Sequence, residues 1–100
     1  MRIDGVGKPE GCKLIRFSAD IEGDTLNRIR IRGDFFASPE AGFDRVEERL
    51  AGIPLSELEG CFNTLLQEEE VEAFGITGSG ISSLVYASLK SAFPNREEKL

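Results

Sequence analysis

The chain has 100 residues, 40% of them hydrophobic and 30% charged, a net charge of −6 and no histidine. This is the composition of a globular domain of ordinary size, not of a disordered chain, and no apolar run nears the ~20 residues of a membrane-spanning helix. The commonest general base and zinc ligand is missing, and two cysteines, Cys12 and Cys61, are too few for a zinc or iron–sulfur site built from this chain alone.

Charge is unevenly placed. Residues 1–33 hold seven Lys or Arg against five Asp or Glu, whereas residues 34–100 hold five against thirteen. An acidic chain is a poor non-specific binder of nucleic acid, so neither a nucleic-acid nor a membrane partner is expected. The basic cluster at the front reads as a solvated strand face or as a contact with an anionic partner. Met1 to Gly5 carry no apolar secretion core, and two lone cysteines suit a reducing compartment. Together these predict a cytoplasmic chain.

Gly5, Gly7, Pro9 and Gly11 punctuate residues 1–11, which read as a flexible arm. Residues 12–21 alternate: Ile15, Phe17, Ala19 and Ile21 take one face, Arg16, Ser18 and Asp20 the other, the pattern of a half-buried strand. Glu22-Gly23-Asp24 supplies a turn, and Ile29 and Ile31 then oppose Arg28, Arg30 and Arg32 in a second strand. The pair forms a hairpin with one apolar and one basic face, which needs helices on its apolar side.

Ser38-Pro39-Glu40 opens a first helix, with Ser38 as cap and Phe43, Val46 and Leu50 as its stripe before Gly52. Ser56 and Glu59 have the spacing of a capping box for a second helix, whose apolar face is Leu58, Cys61, Phe62, Leu65 and Leu66. Glu68, Glu69, Glu70 and Glu72 should fray its end, because the helix dipole disfavours anions there. Residues 71–74 form a short strand or a link. Thr77 caps a third helix carrying Ile81, Leu84, Val85, Leu89 and Ala92. The order is β-β-α-α-(β)-α, an α+β domain over residues 12–93 with three helices on one face of a small antiparallel sheet, followed by a polar tail, 94–100.

Three stretches carry candidate chemistry. Gly33-Asp34-Phe35-Phe36 joins the basic strand to the first helix. Adjacent side chains of an extended segment face opposite ways, so one ring covers a surface, unless the turn folds both under the helices. Asp34 caps the turn or pairs with Arg32. Gly75-Ile76-Thr77-Gly78-Ser79-Gly80 resembles a phosphate loop but lacks its Lys-Ser/Thr ending, and so reads as a helix-capping loop. Lys8 and Lys13 flank Cys12 on the arm and could reach an acidic ligand. No nucleophile–base pair is present.

Lys13-Leu14-Ile15, the hairpin with its acidic-glycine turn, Ile29-Arg30-Ile31-Arg32-Gly33-Asp34-Phe35-Phe36 and Pro39-Glu40 resemble the accessory C-terminal domain of lipoate–protein ligases. The likeness continues through Val46-Glu47-Glu48-Arg49-Leu50-Ala51-Gly52 and ends in Phe74-Gly75-Ile76-Thr77 and the last helix, about residues 8–93. Gly78 and Gly80 depart from it, where an acidic residue is expected near the helix start. The resemblance implies a stand-alone small subunit that forms a heterodimer with a large catalytic subunit. That subunit makes lipoyl-AMP from lipoate and ATP, with Mg, and passes the lipoyl group to a lysine of lipoyl domains. The small chain would hold no cofactor and no complete active site, and would be needed for the adenylation step. Lys8, Lys13, Gly33, Asp34, Phe35 and Phe36 are the expected partner contacts. The related sulfur-acceptor and iron–sulfur scaffold proteins supply the alternative, a carrier working through Cys12, which requires an exposed and acidified thiol.

Overall fold

The computed structural model describes residues 1–92. In chain order its elements are β1 (Arg2–Gly7), β2 (Ile15–Glu22), β3 (Thr25–Gly33), β4 (Phe36–Ser38), α1 (Glu40–Arg49), β5 (Ile53–Pro54), α2 (Leu58–Glu68), β6 (Glu72–Phe74) and α3 (Gly78–Ala92). The strands form an antiparallel four-stranded sheet, β1-β2-β3-β5, and a separate two-stranded ladder, β4-β6. Helix α1 packs on β3 and α3 on β1, and α2 lies against both helices. The α+β class and the helical cover on one sheet face are therefore as expected. No helix among the described residues is long and apolar enough to cross a membrane.

The hairpin forms as the alternation requires. Ile15, Phe17, Ala19, Ile21, Ile29 and Ile31 are buried, and Arg16, Arg28, Arg30 and Arg32 face outward. Leu26 is buried too, although it stands three positions from Ile29. A register shift resolves the conflict: Asp20 pairs with Arg28 but Ile21 with Leu26, which leaves Asn27 as the extra residue of a bulge.

The flexible arm expected over 1–11 is a correction. Residues 2–7 pair with β2 along its length, from Arg2 opposite Asp20 to Gly7 opposite Ile15. Gly5 and Gly7, read as breakers, are inward-facing positions under α3, whereas Gly11 sits in an exposed turn. A methyl at Gly5 would stand 2.5 Å from Cε1 of Phe17, and one at Gly7 would stand 2.8 Å from Cδ1 of Leu84. They let the helix approach the strand.

The helix starts differ in detail. Pro39, not Ser38, holds the cap position of α1, with no side-chain cap bond, and its carbonyl accepts from the N–H of Phe43. Ser56 falls inside a 3-10 turn, Leu55–Glu57, so the capping box with Glu59 does not form. Thr77 does cap α3, its hydroxyl accepting from the N–H of Gly80 at 2.9 Å. Ala92 is exposed rather than part of the stripe. Segment 71–74 does contain a strand, but it pairs with β4, outside the main sheet. The tail, 94–100, lies outside the described residues.

The acidic exit of α2 does not fray as expected, because α1 supplies the opposite charge. Arg45 Nε donates to Glu69 at 2.6 Å, and Arg49 reaches Glu68 at 2.7 Å and Glu69 at 3.2 Å. Helix α2 ends at Glu68, and Glu70, just beyond it, takes a positive φ of 56°. The hydrogen bond from Arg45 holds the Glu69 carboxyl below its ordinary pKa, against partial desolvation and with help from Arg49. A carboxyl lowered in the folded state stabilises the fold above its unfolded pKa, and that contribution is lost as pH falls through the lowered value. Thermal melts of the wild type and of Glu69→Gln should therefore differ most near neutral pH, draw together as pH falls below the ordinary glutamate value, and converge only below the lowered one. A difference independent of pH would show that the clamp is not electrostatic.

Candidate functional site

Three strands end in one row. Gly7 stands opposite Ile15, and Ile15 opposite Gly33. Lys8, Leu14 and Asp34 thus leave the sheet at the same end, as antiparallel pairing dictates. Two backbone bonds sew this end together. Asp34 N donates to the Leu14 carbonyl at 2.8 Å, and Lys13 N donates to the Gly75 carbonyl at 2.8 Å. The Lys13–Leu14 segment therefore bridges the Gly33–Asp34 turn to the loop after β6. Lys8, Lys13, Gly33 and Asp34 are all exposed. The alternative pairing of Asp34 with Arg32 does not occur: Arg32 Nη1 instead donates to Glu47 at 2.9 Å.

The two phenylalanines divide. Phe35 is half-buried, its ring 5.4 Å from that of Phe43, which stands 6.2 Å from the fully buried Phe62. A chain of rings thus runs from the sheet end into the core. Phe36, one residue on, points the other way and is 61% exposed.

Sequence reading missed the partner of Phe36. In the small ladder Phe36 pairs with Phe74, Ala37 with Ala73 and Ser38 with Glu72. Phe74 is 63% exposed. The ladder turns its two alanines toward the core and its two large rings outward, the reverse of what hydrophobicity alone would choose. The signal was available: Phe74 alternates with Glu72 around Ala73, the same small-residue centre as Phe36-Ala37-Ser38.

Cys12 and the glycine run are structural. Cys12 is 7% exposed. The turn that carries it, closed by Cys12 N donating to the Pro9 carbonyl at 2.9 Å, lies on the start of α3, with the sulfur 3.7 Å from Oγ1 of Thr77. Cys12 therefore does not offer the exposed thiol that a sulfur carrier working through it needs. The glycine run is where α3 meets its neighbours: a methyl at Gly80 would stand 2.5 Å from the Cys12 sulfur, and one at Gly78 would overlap the Glu59 carbonyl oxygen and stand 2.7 Å from Oδ1 of Asn63. These contacts account for the two glycines that depart from the ligase pattern.

No protein-family model matches the chain. Over 45 residues it is 38% identical to Lipoate-protein ligase A subunit 2 of Thermoplasma acidophilum, a stretch covering 45% of this chain and 48%, about half, of that protein. In structure it matches a chain of an archaeal lipoylation system, a bi-partite lipoate protein ligase and its E2 lipoyl domain, also from Thermoplasma acidophilum. The TM-score is 0.67 at 26% identity, over 81% of this chain and 90% of that one. The resemblance is borne out: in aligned residues this chain is similar to subunit 2 of a lipoate–protein ligase, and in fold to a chain of a bi-partite lipoylation system.

Proposed function

We propose that this chain is the small, non-catalytic subunit of a two-chain lipoate–protein ligase. It docks on a large catalytic subunit and is required there for ATP-dependent activation of lipoate to lipoyl-AMP, before transfer to a lysine of a lipoyl domain. The observation that carries this reading is the 38% identity to a lipoate–protein ligase subunit 2, and the fold match over 90% of a chain of a bi-partite lipoylation system supports it. The exposed Phe36–Phe74 pair supports it by offering an apolar anchor beside Lys8, Lys13 and Asp34 as a charged rim.

The task of such a subunit is conformational. A ligand shifts an equilibrium only by its differential affinity for the two states. Burial of two phenylalanine rings releases about 3–6 kcal/mol, comparable with the ~5.5 kcal/mol that turns a 1:99 population into 99:1. Contacts made only with the adenylation-competent form of the large subunit would thus be sufficient. Lys8 and Lys13 would stand near its nucleotide site, and ATP, Mg and lipoate would be held by the large subunit.

Reconstitution tests this reading. The chain alone should show no micromolar binding of ATP with Mg in isothermal titration. Adding it to the large subunit should switch on lipoyl-AMP formation. Lys8→Ala with Lys13→Ala should lower that step while leaving transfer from pre-made lipoyl-AMP intact. Tight ATP binding by the isolated chain, or adenylation indifferent to its presence, would overturn the reading.

A further inference from the structure

The sheet has a second face, which no helix covers. Its outward positions run in rows across β1, β2 and β3: Arg2, Asp20 and Arg28; Asp4, Ser18 and Arg30; Val6, Arg16 and Arg32. Five arginines stand on this face of an otherwise acidic chain, and its aspartates are already engaged. Asp20 accepts from the Met1 ammonium at 2.9 Å, and Asp4 from Arg2 Nε at 3.2 Å. Arg32 is held by Glu47. Among the described residues Arg16, Arg28 and Arg30 have no carboxylate within salt-bridge distance. Arg16 even stands directly opposite Arg32, a like-charge cross-strand pair that works against the sheet.

We propose that this outer face is a docking surface for an extended, carboxylate-rich protein segment, read by Arg16, Arg28 and Arg30. Successive outward positions of β3 repeat every ~6.6 Å, the spacing of alternate side chains in any extended peptide laid along it. Each guanidinium offers a planar fork that matches a carboxylate. A shallow cleft of about 530 Å³ lies where Arg2, Asp20, Arg28 and Arg30 meet, open to such side chains. Recognition is through side chains on the face, because the free edge of β3 is occupied at its centre: Ile31 N–H donates to Glu47 at 2.6 Å and the Ile31 carbonyl accepts from Arg32 at 2.7 Å. An acidic peptide suits the face better than single-stranded nucleic acid, which needs aromatic platforms for its bases, and no ring stands among these positions. The surface is separate from the Phe36–Phe74 edge and serves an additional partner.

The test uses the full chain and a fluorescein-labelled peptide of alternating glutamate and serine, read by anisotropy at low salt. Binding should weaken steeply with added salt. The Arg16→Gln, Arg28→Gln, Arg30→Gln chain should bind about 10-fold more weakly or worse. Lys8→Gln with Lys13→Gln, which removes two positive charges from elsewhere against the three of the arginine variant, should change it by less than about two-fold. Melting curves check that each variant is folded, and Arg30→Gln alone serves if the triple variant is not. No binding by the wild type, equal loss in both variants, or tighter binding of a single-stranded oligonucleotide of matched charge would each overturn the proposal.

Discussion

Replacement of Gly33 by alanine should unfold this protein at temperatures where the wild type is stable. Gly33 closes β3 with a φ of 149°, a conformation side chains rarely adopt, and an added methyl would overlap the Leu14 carbonyl oxygen while standing 3.0 Å from Cα of Ile15. Both neighbours are backbone. Neither can swing away as a flexible side chain would, and relief would pull β2 from β3 at the row where three strands end. Strain of this kind costs about 3 kcal/mol or more, a drop in melting temperature of well over ~10 °C for a domain of this size. Gly23→Ala is the control. Gly23 also has a positive φ, 57°, but nothing lies within 4 Å of its missing methyl. It should cost only the ~1–2 kcal/mol of a left-handed residue. Equal losses at the two positions would mean that the Leu14 contact is not what fixes Gly33.

The hairpin was legible because period two is unambiguous when one face is Ile-rich and the other Arg-rich. The helical stripes of Phe43, Val46 and Leu50, and of Ile81, Leu84, Val85 and Leu89, were legible for the same reason at their own period, and these residues are buried. β1 was not legible. Gly5 and Gly7 carry the same letters whether they loosen an arm or admit a helix, and only the position of α3 decides between them. The α2 exit was misread because its four glutamates look repulsive in one dimension, while Arg45 and Arg49 come from a different helix.

Of the candidate site, Gly33-Asp34-Phe35-Phe36 was found but not divided. Which ring faces out depends on the turn at Gly33–Asp34, and the sequence leaves both directions open. Phe74 escaped notice because its significance lies in pairing with Phe36, a contact between residues 38 positions apart. Cys12 beside Lys13 suggested a reactive thiol, yet side chains next to each other in a chain need not share an environment: Lys13 is exposed and Cys12 is buried against α3.

Alanine at both Phe36 and Phe74 should sharply weaken association with the proposed large subunit while leaving the fold intact. The two rings are more than half exposed in the isolated chain and oppose one another across a ladder whose buried side is Ala37 and Ala73. Their removal therefore takes little from the core, and the melting temperature should move by no more than about 3 °C. In the complex each ring lost forfeits about 1.5–3 kcal/mol of burial, so the double variant should bind at least ~100-fold more weakly, and each single variant about 10-fold. Phe35→Ala separates the two roles. Its ring packs on Phe43 inside the aromatic chain that reaches Phe62, so that variant should lose stability, by about 2–4 kcal/mol for a half-buried ring, before it loses affinity. Titration calorimetry on the purified pair gives affinities, and melts of the isolated chain give stabilities. If Phe36→Ala, Phe74→Ala bound as tightly as wild type, the aromatic ladder would not be the docking edge, and the anchor would have to be sought elsewhere on the chain.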